Sequence, residues 1–78
     1  MKRFHLVEVC DGTQTIIETS EAEFIPGEGS TIVIINSSRA SGGERHVRYN
    51  VLEVKHVLDK RFDFRNNWVT EVFVEKIS

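Results

Sequence analysis

"RHVRYNVLEVKHVL", residues 45–58, is the stretch on which the fold class turns. Val47, Tyr49 and Val51 recur at every second position, so in an extended chain they share one face. After Leu52 the apolar set changes phase, to Leu52, Val54 and Leu58. A helix over 51–58 accommodates Val51, Val54 and Leu58 on one side. A single long strand accommodates them too, if it carries a bulge or sharp bend near the phase switch. The β-branched content favours the strand.

The neighbouring segments agree with a mostly β chain. Residues 31–36 hold four consecutive β-branched apolar residues, Ile32, Val33, Ile34 and Ile35, with no alternation. Such a run predicts a strand covered on both faces, by a tightly closed barrel or by a partner subunit. Residues 3–9 alternate, with Phe4 and Leu6 on one face and His5, Val7 and Val9 on the other. Asp11-Gly12 follows, a two-residue hairpin signal, and the chain returns through 13–19 with Ile16 and Ile17. Residues 20–24 are polar and admit one short helical turn, and the Pro26, Gly27 and Gly29 segment must be a loop. Phe62 and Phe64 alternate with Arg61, Asp63 and Arg65, and Asn66-Asn67 reads as the turn of a second hairpin returning through 68–77. The expected fold is a small five-stranded barrel-like or strongly twisted antiparallel sheet built from hairpins, with residues 1–78 as one domain.

Seventy-eight residues stand near the lower limit for a single self-sufficient core. Cys10 is the only cysteine, so no intrachain disulfide staples the fold and no thiolate-rich zinc site is available within one chain. A free thiol suits a reducing compartment, which makes a cytoplasmic location the expectation. Met1-Lys2-Arg3 is followed by alternation instead of a continuous apolar run, so no secretory leader is expected. No segment approaches the roughly 20 apolar residues that span a bilayer as a helix, and no membrane association is expected.

The formal net charge is −2, which argues against general affinity for nucleic acid. The charge is unevenly placed. Residues 1–30 carry two basic and six acidic side chains, residues 31–48 carry three arginines and one glutamate, and residues 49–78 carry five of each sign. The only net-positive stretch therefore contains "INSSRASGGERHVR", residues 35–48.

That stretch is the first candidate site. Backbone N–H groups around Ser41, Gly42 and Gly43 can form an anion-binding nest, and Arg39, Arg45 and Arg48 can clamp phosphate oxygens. It lacks the Gly-Lys-Ser/Thr of a P-loop, and Ser, Gly and Asn equally suit an exposed hairpin tip. The second candidate is the aromatic-arginine segment of Arg61, Phe62, Phe64 and Arg65, with Trp68 beyond the turn. Rings beside guanidinium groups suit stacking on a nucleobase, but a core or self-association contact is the reading their alternation favours.

His5, His46 and His56 show no metal-ligand spacing, and Cys10 has no adjacent base, so neither a metal, a cofactor nor an enzymatic activity is expected. The reading is a non-enzymatic binding protein that self-associates as a homo-oligomer and captures a protein partner or a small anionic, nucleotide-like ligand. A purely structural assembly subunit is the alternative. Short, mildly acidic and free of motifs, the chain has the general character of the accessory inhibitors that phages encode against bacterial defence.

Overall fold

The computed structural model describes residues 2–38, 42–60 and 67–77, and every regular element among them is a strand. These are β1 (Lys2–Cys10), β2 (Thr13–Ala22), β3 (Thr31–Ser38), β4 (Gly43–Asp59) and β5 (Asn67–Ile77). They form one sheet in the order β2-β1-β5-β4-β3. The sheet curls strongly into a half-barrel, and its outer strands β2 and β3 make no contact with each other.

The sheet is mixed. Hairpin connections make β1–β2, β3–β4 and β4–β5 antiparallel, but β1 and β5 run parallel from Phe4↔Thr70 to Glu8↔Val74. The chain ends of the sheet thus meet in its middle, joining two antiparallel units that hairpins alone would leave separate.

Residues 45–58 lie within one strand of 17 residues. Its register with β5 shifts between Val51 and Glu53: Val51 pairs with Val74 and Glu53 with Phe73, leaving Leu52 as the extra residue of a bulge. The bulge is the physical meaning of the phase switch. It lets Tyr49, Val51 and Val54 all reach the same core although the spacing between Val51 and Val54 is odd. A second shift, between Leu6 and Val7, leaves Ile17 extra on β2 and turns it onto that core as well.

The core lines the concave face: Phe4 and Leu6 of β1, Tyr49 and Val51 of β4, and Val72 and Val74 of β5. Val72 and Val74 are 0 % exposed, as expected for a central strand flanked on both sides. Burying each such valine contributes about 1.5–3 kcal/mol relative to leaving it exposed. On the convex face Val7 and Phe73 are buried as register partners, and Lys55 Nζ sits 4.9 Å from the Phe73 ring centroid.

The first hairpin turns at Asp11-Gly12, with φ of 49° and 78°, the paired positive values that suit the twist of the flanking strands. Ser20 to Ala22 form no helical turn. They extend β2, because Phe4↔Ser20 and Lys2↔Ala22 continue the ladder. Asn67 is not a turn residue either: it pairs with Asp59, so 67–77 folds against β4 itself.

Within the chain the four-residue apolar run is not covered on both sides, so of the two expected forms of cover the closed barrel does not occur. Within the chain β3 is an outer strand: Ile32 and Ile34 pack against the core, while Val33 is 45 % and Ile35 58 % exposed on the convex face.

Candidate functional site

A strand delivers its side chains alternately to two faces, so parity decides which basic residues can meet one ligand. Arg45 and Arg48 are three residues apart on regular β4, which sends them to opposite faces. Arg45, Val47 and Tyr49 follow the concave parity; His46 and Arg48 follow the convex one, beside Ile35 and Val33. Lys76 pairs with Tyr49 and is thus concave, but it stands four positions from Arg45 along the ladder, about 13 Å. A groove of about 490 Å³ is nonetheless bordered by Arg45, His46, Arg48 and Lys76 together, although they leave the ladder from two faces. Of the anion clamp read from residues 35–48, Arg45 and Arg48 border this one groove but do not share a face of β4. Gly42 takes a positive φ of 67° as a turn residue before Gly43 opens β4. Arg39 and Ser41 lie outside the described residues, as do Arg61, Phe62, Phe64 and Arg65.

At the opposite end of β5 the parity is favourable. His56 pairs with Thr70, which pairs on its other side with Phe4, so all three belong to the concave face. Trp68, two residues before Thr70, and Lys2, two before Phe4, follow the same parity. Lys2, His56, Trp68 and Thr70 border an open cleft of about 590 Å³. The segment after β2 closes one side with Phe24 and Ile25. That segment is held at its far end by backbone bonds, Gly29 N–H to Val51 C=O at 2.9 Å and Val51 N–H to Ser30 C=O at 2.9 Å.

The cleft combines two chemistries. Trp68 and Phe24 are 67 % and 79 % exposed, two aromatic surfaces at one opening. Lys2 and His56 supply cationic or hydrogen-bonding groups, and Arg3 reaches the rim from the other parity, 3.6 Å from Glu21. No carboxylate is among the described residues that line the cleft. His56 Nδ1 lies 3.2 Å from Thr70 Oγ1, which orients the imidazole and leaves its Nε2 edge as the side a ligand can meet.

The other polar groups are dispersed. His5 Nδ1 meets Thr19 Oγ1 at 2.7 Å, and His46 Nε2 meets Glu44 Oε2 at 3.1 Å. No group of three potential metal ligands occurs among the described residues. Cys10 is exposed, with Sγ 3.9 Å from the Asp11 carboxylate. Tyr49 is held in its neutral form beyond the usual phenol range, first by burial and then by the nearby Glu8 carboxylate.

Sequence reasoning named Trp68 but missed Lys2, Phe24 and His56. Their one local signal was an aromatic or basic residue beside a strand end. They meet because β1 and β5 pair in parallel, a contact across more than sixty residues that leaves no local mark. No family model matches the chain, and comparison with curated proteins and with solved structures finds no match.

Proposed function

We propose that the chain is a non-enzymatic binding module that captures a small, nucleotide-like anion in the concave cleft. The observation that carries this reading is the gathering of Lys2, His56, Trp68 and Thr70 on one face, with Phe24 at the rim. An aromatic surface can stack a planar base at about 1–3 kcal/mol per base. Lys2 and the imidazole of His56 then answer the phosphate, with hydrogen bonds to charged groups worth about 1.5–3 kcal/mol where solvent is excluded and less in an open cleft. The free Cys10 thiol fits a reducing, cytoplasmic setting. Capture without turnover would make such a protein a sequestering factor.

Trp68 is the only tryptophan, so its fluorescence reports the cleft directly. Titration with nucleoside monophosphates should quench it saturably, whereas inorganic phosphate or a free nucleoside alone should bind more weakly. Trp68→Ala should weaken binding roughly 5- to 150-fold by calorimetry, the equivalent of one stacked base. Absence of both quenching and heat for every nucleotide tried, up to millimolar concentration, would remove this reading.

A further inference from the structure

We infer that the chain forms a two-fold dimer in which β3 pairs antiparallel with β3 of a second copy, the axis passing at Ile34. This gives the expected self-association a surface and is independent of the ligand cleft, so either can fail without the other.

The two outer strands of the sheet differ in how they treat a neighbour. β2 carries Glu18 and Glu21, and its ladder with β1 is interrupted at Ile17. Charges and bulges are the devices by which natural sheets refuse an added strand. β3 has none of them. Its sequence, Thr31-Ile32-Val33-Ile34-Ile35-Asn36-Ser37-Ser38, contains no charge, proline or glycine. Its ladder to β4 runs unbroken from Thr31↔Asn50 to Ser38↔Gly43, and among the described residues its other edge meets no element. Main-chain donors and acceptors along such an edge want a strand, and β-branched side chains want a β-branched neighbour.

Self-pairing meets both needs and fixes the register. With the axis at Ile34, Val33 of one copy lies opposite Ile35 of the other, twice. Ile34 then faces its own counterpart, and Thr31 faces Ser37. Moving the axis to Ile35 would set Val33 against Ser37 and lose the apolar match. The even register also keeps both convex faces on one side, so four exposed apolar side chains cluster around the axis. The flanking cations do not oppose it. Arg48, beside Val33 on β4, would stand three strand spacings from its counterpart's strand, about 14 Å. That exceeds the screening length of about 8–10 Å at physiological salt. The β2 edge offers no equivalent, because self-pairing there brings Glu18 and Glu21 of two copies together.

Sedimentation or light scattering should show the wild-type chain at twice its 9.0 kDa mass in the micromolar range. Val33→Lys with Ile35→Lys should return it to a monomer with an unchanged far-UV circular dichroism spectrum, since both side chains point away from the core. Ile16→Lys, on the β2 edge, should leave the dimer intact. Cross-linking tests the register without disturbing charge. In a Cys10→Ser background, an oxidised mixture of Val33→Cys and Ile35→Cys chains should yield a covalent dimer, reversible by thiol, that neither chain gives alone. A wild-type monomer throughout the micromolar range, or a dimer broken by Ile16→Lys and not by the β3 pair, would overturn the proposal. Cross-linking of Ile35→Cys chains alone would overturn the register. Should the double-lysine variant fail to fold, absence of any covalent dimer from the folded cysteine variants overturns the pairing.

Discussion

At one end of β5, Trp68 and Thr70 meet Lys2 and His56 on a single face; at the other, Lys76 lies near Arg45, Arg48 and His46, which divide between two faces. The second end carries more positive charge and comes from the stretch whose composition first suggests an anion site. Charge density along the chain is nonetheless a poor guide on a sheet, because neighbouring residues are sent apart. What assembles a site is equal parity on adjacent strands. Lys2 and His56 satisfy it from positions 54 residues apart, through the β1–β5 and β5–β4 ladders.

The sharpest way to break this contrast is to reverse the charge that the favourable end depends on. Lys2→Glu should weaken nucleotide binding roughly 5- to 30-fold, an effect of about 1–2 kcal/mol from losing a charge-assisted contact in an open cleft and adding a repulsive one. Lys2 is exposed, so circular dichroism and the thermal midpoint should change little. A variant that binds as the wild type does would move the ligand out of the cleft.

Parity also explains what could be read in advance. Asp11-Gly12 carries its turn chemistry in two residues, and the structure shows its paired positive φ values. The displaced apolar phase at Leu52 announces a bulge because a strand has only two faces and the core needs one of them. These are local signals. The parallel β1–β5 pairing is not local, and it also builds the cleft, so the fold was more legible than the site. Two readings failed for the same reason. The run Ile32–Ile35 implies burial on both faces by a closed barrel or a partner subunit, and the barrel form does not occur, because within one chain β3 is an outer strand whose convex side chains are exposed. Residues 20–22 look too polar for a strand, yet β2 needs no second buried face, and its pairing with β1 carries it to Ala22.

A second test concerns the concave face farther along, where burial replaces openness. Tyr49 is buried there near Glu8, and both burial and that carboxylate favour the neutral phenol. Its folded-state pKa is raised, so as pH climbs past about 10 the unfolded chain releases this proton first. The folded state then holds more protons than the unfolded one, and stability falls with rising pH from that point until the folded phenol ionises. Tyr49→Phe removes this contribution. Denaturant unfolding of the two proteins between neutral pH and about pH 11 should show a shallower alkaline decline for the variant. Parallel curves would mean that Tyr49 ionises as freely in the fold as in the open chain.

The smallest expected effect is the most discriminating. Replacing Arg45 and Arg48 together by alanine removes two of the three arginines in the only net-positive stretch, and a reading based on charge alone predicts a large loss of anion binding. The parity argument predicts almost none. The two guanidinium groups lie on opposite faces, and the nearest of these strands' pairings to the cleft, His56↔Thr70, is eight residues beyond Arg48 on β4. With a bulge absorbing one of those residues, the separation is still roughly 23 Å at about 3.3 Å per residue, more than twice the distance over which salt screens an exposed charge. Nucleotide affinity measured at physiological ionic strength should therefore stay within about twofold of the wild type, a difference of about 0.4 kcal/mol. At low salt a modest weakening should emerge as the field of the removed charges reaches farther. Loss of an order of magnitude at physiological salt would mean that the two faces act on one ligand after all.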